Sequence, residues 1–360
     1  MTCPRPASTT GKAADRPSRI ALVTVSSHQA ERGGAERLFE GLHAALIGSG
    51  VAVERIDIDS VERDFDSVLQ SYLRFYDVDL SEFDGVISTK APSYALRHRN
   101  HVCYLPHTMR IFYDMFEATF PDLSPGLLAQ RDIVRQIDRA ALSRSTVRAV
   151  FVVGSEVRER LRTLAGIDSE VLHHPTTQQG LRTGEFRHLL LPGRLHRWKR
   201  VDLALAAVRR MRNAVDLLVS GAGDDEPRLR ALACGMPGVR FVGHVSDVDL
   251  ANLYADALAV LYCPIREDYG LVPIEAFLSG KPVVTCSDSG EPARIVSDGV
   301  SGFVCASDAD SIADRLDWLV ENKMQAEVMG RRGRDAVAHI SWVSVCDRLL
   351  DALSRPAEAR

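Results

Sequence analysis

The sequence predicts an α/β protein built from two Rossmann-like, doubly wound parallel-sheet domains that face a central cleft. Three observations carry this reading. Ile20 to Ser26 (IALVTVS) is a continuous apolar, β-branched run, followed by the Gly-rich turn ERGGAER and a helical pattern, which is a βαβ opening. Strand-like runs alternate with helical patterns again from His188 onward. Between the two series, residues 173–187 (HHPTTQQGLRTGEFR) break the periodicity with Pro, Gly, Thr and Gln. The expected division is a disordered tail over 1–18, a first domain over 19–178 and a second over 179–341.

Residues 1–18 are rich in Pro, Arg, Thr and Ala and lack the apolar stretch of a signal peptide. From Ala35, the apolar positions Leu38, Phe39, Leu42, Ala45 and Leu46 recur at three and four, so a helix runs to Gly48 or Gly50, and a strand follows over Val51 to Ile58. Further strands read at Gly85 to Ser88 and Val102 to Leu105, the second running into PHTMRIFYD. A helix over Leu127 to Leu142 and a strand over Ala149 to Val153 follow. Ser155 then reads as the cap of a helix that ends at Gly166. In the second domain the strands are His188–Leu191, Asp216–Ser220, Val239–Gly243, Leu258–Cys263 and Pro282–Cys286. Helical patterns separate them at Val201–Met211, Glu226–Cys234, Asp247–Ala255 and Leu271–Ser279, and continue at Asp308–Glu321. Lys323–His339 and Ser341–Leu353 close the chain.

A length of 360 residues suits two domains, and 46% hydrophobic with 26% charged content is that of a globular protein with filled cores. A net charge of -4 offers no basic excess to neutralise a phosphate backbone, which excludes a general nucleic-acid binder. Seven scattered cysteines without a C-x-x-C pair point to a reducing, cytosolic compartment. No run approaches the roughly 18–20 apolar residues of a membrane span.

In open α/β sheets, ligands sit beyond the carboxyl ends of the strands. Gly33, Gly34, His107, Arg194, Lys199, Glu267 and Glu275 all fall just after predicted strands and so converge on one cleft. The densest stretch is REDYGLVPIEAFLSGKPVVTCSDSG, where Glu267 and Glu275 stand with seven residues between them. A helix starting near Leu271 presents unpaired N–H groups to phosphate or sugar oxygens, and Gly270 allows close backbone approach. On the residues alone, the two glutamates read either as acceptors for sugar hydroxyls or as ordinary helix acids complementing a dipole. Arg194 and Lys199 in GRLHRWKRVD are two cations of the kind a diphosphate leaving group requires. The turn after the first strand has no G-x-G-x-x-G, so a dinucleotide fingerprint is not supported. Carboxylates for hydroxyls beside cations for a diphosphate point to glycosyl transfer from a nucleotide sugar.

The GGAE turn, the GRLHRWK loop, EDYGLVPIEA and the downstream SGKPVV resemble the retaining glycosyltransferases of family four, the group 1 glycosyltransferases, which have the GT-B fold. The resemblance implies that Arg194 and Lys199 bind the donor diphosphate, Glu275 holds the ribose hydroxyls and Glu267 those of the transferred sugar. It places the backbone of Gly270, Leu271 and Val272 on sugar or β-phosphate, Gly33 and Gly34 on the phosphate side, and His107 by the reacting sugar. The base would lie against the backbone of Gly243, His244 and Val245. The family retains anomeric configuration, has no metal in its site and no other cofactor. It also implies that residues 342–360 cross back onto the first domain. One departure stands out: Asp288 to Arg294 reads DSGEPAR, with Glu291 where the family has glycine and Arg294 where it has an acid.

Three other readings share parts of this pattern. A metal-dependent transferase would need a D-x-D loop, and Asp308-Ala309-Asp310 matches, but it opens a helical pattern and reads better as an N-cap. A nucleotide-sugar epimerase would share the cleft but needs acid/base partners that the sequence does not supply. A non-catalytic regulatory protein would bind the nucleotide sugar without turning it over. The acceptor is a hydroxyl of unassigned class, with peripheral contact at an inner membrane face compatible with Phe112, Tyr113 and Phe116, although these read better as core or cleft wall.

Overall fold

The computed structural model describes residues 16–26, 34–62 and 64–354. Most of the expected tail, Gly33 and the last six residues lie outside the described residues. The first half of the chain runs β1 (Arg19–Ser26), α1 (Gly34–Gly48), β2 (Ala52–Asp59), α2 (Phe65–Tyr76), β3 (Gly85–Ser88), β4 (His101–Leu105), α3 (Phe116–Thr119), α4 (Pro125–Leu142), β5 (Val147–Val152), α5 (Ser155–Ala165) and β6 (Glu170–Val171). After residues 172–187, which hold no helix or strand, come β7 (His188–Pro192), α6 (Val201–Arg210), β8 (Leu217–Ser220), α7 (Glu226–Leu232), β9 (Val239–Gly243), α8 (Asp247–Asp256) and β10 (Ala257–Leu261). The chain continues through α9 (Leu271–Leu278), β11 (Val283–Cys286), α10 (Glu291–Ile295), β12 (Gly302–Cys305), α11 (Ala309–Glu321), α12 (Lys323–Val337) and α13 (Trp342–Ser354).

The strands form two six-stranded sheets in the orders β2-β1-β3-β4-β5-β6 and β12-β11-β10-β7-β8-β9. Every strand pair is parallel. Strands such as β1, β3, β4 and β10 are buried on both faces, which is why they spell unbroken apolar runs rather than alternating ones. Each order reverses once, between β1 and β3 in the first sheet and between β7 and β10 in the second. Those reversals open crevices at the carboxyl ends of the strands.

α13 packs on α1 and on β3, β4 and β5, so the end of the chain lies on the first sheet. The fit is close: a Cβ on Gly41 in α1 would come within 2.3 Å of the Trp342 ring. Phe112, Tyr113 and Phe116 are all buried and belong to the core of this half.

Several elements differ from the sequence expectation. α2 is an additional helix, started by a capping box in which Asp64 and Ser67 exchange hydrogen bonds. Its buried stripe includes Ser71, whose hydroxyl donates to Val61 O and accepts the Val61 N–H, so the apolar signal is interrupted. β6, α10 and β12 are short and also additional. Ser155 is the first residue of α5 rather than its cap; the cap is extended Gly154, with no side-chain hydrogen bond of its own. β10 stops at Leu261, leaving Tyr262 and Cys263 in the loop that follows.

Candidate active site

The crevice between β7 and β10 is lined by the loops that follow them. After β7, a 3-10 turn over Arg197–Lys199 is pinned by Arg200, which has φ of 50° and donates to Cys263 O and Pro264 O while pairing with Asp288 at 2.6 Å. Ile265 N–H donates to Trp198 O at 2.8 Å, so the two loops are stitched by backbone as well. This fixes the base of Lys199, whose Nζ lies 2.6 Å from Glu267 Oε2 and 2.9 Å from the Tyr262 hydroxyl. Burial pulls the Lys199 ammonium down, but Tyr262 and Glu267 outweigh it and hold its pKa above the ordinary lysine range. Arg194 stands earlier in the same loop and is exposed; its carbonyl accepts the His196 N–H at 3.0 Å.

The loop carrying Glu267 is bound to the one after β11. Glu267 N–H donates to Ser289 O at 3.0 Å, and Glu291 N–H donates back to Glu267 O at 3.0 Å. Gly270, at φ of 76°, turns this loop into α9. Any Cβ there would meet the Tyr262 ring at 2.8 Å as well as Glu267 and Pro292 at 3.2 Å, so both the conformation and the space require glycine. No side chain caps α9, which leaves the first N–H groups, those of Leu271 and Val272 among them, available at the crevice.

Glu275 lies inside α9, buried, and is met by two donors: Thr176 Oγ1 to Oε1 at 2.7 Å and Tyr254 OH to Oε2 at 2.8 Å. Burial raises its pKa, and the two hydrogen bonds work against that rise. Two acceptor positions remain on a carboxylate so engaged. On the far side of the sheet, Gly243 ends β9 and accepts the Gly221 N–H at 2.7 Å. Gly221 in turn crosses Gly193 so closely that a Cβ would sit 2.0 Å from Gly193 O. The turns after β7, β8 and β9 thus form a side-by-side backbone shelf, beside which His244 is exposed and Val245 half-buried.

From the first domain, His107 follows β4 and is half-buried, with Nδ1 2.9 Å from Thr108 O. That contact assigns the proton to Nδ1 and leaves Nε2 as acceptor in the neutral ring. Burial, then Lys90, lowers its pKa. Asp268 pulls the other way, and itself pairs with Arg160 of α5 at 2.6 Å. Arg160 is fully buried and also reaches Asp114 at 2.8 Å, which Arg110 contacts at 2.6 Å. This chain of charges crosses from one domain to the other beside Glu267. Gly34 opens α1 and is exposed; Gly33 lies outside the described residues.

The structure therefore brings Lys199 and Glu267 into contact, places Gly270, Leu271 and Val272 at the head of the same helix, and sets Glu275 one turn deeper. Asp308 caps α11 by accepting the Ser311 N–H at 2.8 Å, and Asp310 pairs with Arg210 on the outside of the molecule. Sequence reasoning missed Thr176, Tyr254, Tyr262 and Arg160. Each lies in a different element from the residue it supports, and only Tyr262, one residue beyond β10, stood where a signal was available.

Two parallel Rossmann-like sheets with polar groups gathered where their strands end define the GT-B glycosyltransferase architecture. Residues 176–336 match the family described as glycosyl transferases group 1. A phosphatidyl-myo-inositol mannosyltransferase of Mycobacterium leprae is 35% identical over 152 residues, 41% of this chain and 40% of that protein. The chain thus spans less than half the length of that curated relative. Sucrose-phosphate synthase of Thermosynechococcus elongatus superposes with a TM-score of 0.72 at 17% identity over 92% of this chain and 97% of that one. HepE of Anabaena, solved in complex with UDP-glucose, gives 0.68 at 16% identity over 93% and 99%.

Proposed function

We propose that the protein transfers a sugar from a nucleotide-diphosphate sugar to an acceptor hydroxyl with retention of anomeric configuration and without a metal. The observation that carries the reading is the Lys199–Glu267 pair at the uncapped head of α9, with Glu275 behind it, at the point where the second sheet reverses. The donor diphosphate lies across the ends of β7 and β10, where Arg194, Lys199 and the first N–H groups of α9 neutralise it. Glu275 takes the ribose hydroxyls, and Glu267 takes hydroxyls of the sugar once the diphosphate supplies Lys199 with a second anionic partner. The base rests on the backbone of Gly243, His244 and Val245. His107 stands by the reacting carbon from the opposite domain, neutral because burial disfavours its cation.

In the chemical step, the bond from the anomeric carbon to the phosphate oxygen breaks as the acceptor oxygen attacks the same face. The acceptor proton passes to the departing phosphate oxygen, so no separate enzymic base is required. The fixed cations hold the charged diphosphate of the bound donor and act more strongly on the further charge that develops as that bond breaks. A related protein named for mannosyl transfer to phosphatidyl-myo-inositol supports a membrane-borne hydroxyl as one acceptor class, met from the cytoplasmic side by peripheral contact. No helix among the described residues is long and apolar enough to cross a membrane.

The test is to incubate the protein with UDP-, GDP- and dTDP-sugars in EDTA, with vesicles containing phosphatidylinositol and with free sugar alcohols, and to read product anomers by NMR. A product of the donor's own anomeric configuration formed in EDTA supports the reading. Nucleotide-sugar binding without release of nucleotide from any donor contradicts it in favour of a regulatory role.

A further inference from the structure

We propose that Glu291, together with Ser155 and His173, is a positioning device that couples closure of the two domains to the placement of Glu267. The inference rests on the transferase reading only for its kinetic consequence.

Glu291 is the first residue of α10 and is buried, with 2% of its surface exposed. A buried carboxylate needs donors, and both come from outside its own sheet. Oε2 accepts the Ser155 backbone N–H, at the start of α5 in the first domain, at 2.6 Å, and Oε1 lies 2.7 Å from His173 Nε2 in the segment joining the domains. The start of α5 has unpaired N–H groups and the positive end of a helix dipole, so an anion is favoured there. The neighbouring charges agree in sign. Glu156, the next residue of α5, faces Arg266 at 3.4 Å and Arg294 at 3.7 Å. Gly154 leaves no slack: a Cβ there would fall 2.2 Å from Asp268 O and 3.0 Å from Glu291 Cγ.

The backbone of the same residue reaches the candidate catalytic loop, because Glu291 N–H donates to Glu267 O and Ser289 O accepts the Glu267 N–H. Glu267 is therefore tied to α5 through one residue. When the domains part, Glu291 loses both side-chain partners, and the loop that holds Glu267 against Lys199 loses its anchor. Glu291 and Arg294, the two departures in the DSGEPAR loop, both address α5, so their part in this chain is in joining the domains.

The test compares Glu291→Ala and Glu291→Gln in the full chain. Gln accepts from Ser155 and donates to His173 Nε2, so it keeps both contacts. Two readouts need no donor: hydrogen exchange at the Ser155 amide, and NMR titration of the Lys199 ammonium that Tyr262 and Glu267 together hold up. The third is turnover of whichever of UDP-glucose or GDP-mannose the wild type accepts. In Glu291→Ala, Ser155 exchanges faster, Lys199 loses its proton at lower pH, and kcat falls by about 10-fold while donor KM stays within about 2-fold, as expected for losing one charge-assisted contact that acts through another residue. Glu291→Gln restores all three. Unchanged Ser155 exchange and Lys199 titration in Glu291→Ala overturn the inference, as does a rise in KM with kcat intact. A wild type that turns over no donor overturns the transferase reading alone, and the two donor-free readouts still decide the inference.

Discussion

Lys199 Nζ lies 2.6 Å from Glu267 Oε2, so the loop after β7 and the loop after β10 meet as an ion pair across the reversal of the second sheet. The two side chains are each about four-fifths covered, at 20% and 23% exposure, so the pair is worth more than a solvated one yet remains open to a ligand. In the proposed function its members separate in role: Lys199 follows the phosphate and Glu267 the sugar.

Lys199→Ala is expected to weaken nucleotide-sugar binding by roughly 10- to 100-fold, the range for one hydrogen-bonded charge contact. Glu267→Ala is expected to lower kcat by on the order of 100-fold with a smaller change in affinity, because its contact tightens as the sugar leaves. Calorimetric titration beside steady-state kinetics separates the two.

Tyr254 and Thr176 should matter although neither reaches the open crevice. Each donates to Glu275, whose pKa burial has already raised. Removing a donor in Tyr254→Phe raises it further, so the carboxylate protonates at higher pH. Donor KM is then expected to climb as pH falls, starting at higher pH in the variant than in the wild type, with kcat little changed. A KM–pH profile that superposes on the wild type contradicts this.

Gly270→Ala forces a residue with a Cβ into φ of 76° and against the Tyr262 ring at 2.8 Å. The expected cost is about 1–3 kcal/mol of stability. Tyr262 also holds Lys199, so donor affinity falls with it. Thermal unfolding and donor titration of the same preparation read both effects.

These residues show what a sequence can and cannot disclose here. β1, β4, β7 and β10 were legible because strands covered on both faces must be apolar throughout, and α1 because Leu38, Phe39, Leu42 and Leu46 keep helical spacing on one buried face. α2 was hidden because Ser71 interrupts its stripe, and β12 because four residues with a leading glycine carry little pattern. Lys199, Glu267 and Gly270 could be named since strand ends in such sheets are where ligands sit. Their supports could not. Thr176 is 99 positions from Glu275, and Arg160 is 108 from Asp268. Ser155 misled for the same reason: its N–H is satisfied by Glu291, 136 residues away, and no local pattern announces that.

Asp138 supplies a pH test of the first domain. It is 1% exposed and accepts from Tyr72 and Tyr113, the latter at 2.6 Å, yet burial raises its pKa to about 6. Its folded value lies above the unfolded one near 4, so the native state binds the extra proton, and this group's contribution to stability declines as pH rises from 4 through 6. Asp138→Asn is expected to remove that decline, a difference on the order of 2 kcal/mol between pH 4 and 7. Urea denaturation of both proteins at the two pH values measures it.

The most direct test of the central claim is a thermal-shift titration of the wild type, Lys199→Ala and Glu275→Ala with UDP-, GDP- and dTDP-sugars, with and without EDTA. The account predicts that one nucleotide sugar stabilises the wild type, that EDTA leaves the shift intact, and that both variants lose most of it. Equal stabilisation of all three proteins, or of none by any nucleotide sugar, would contradict the donor site described.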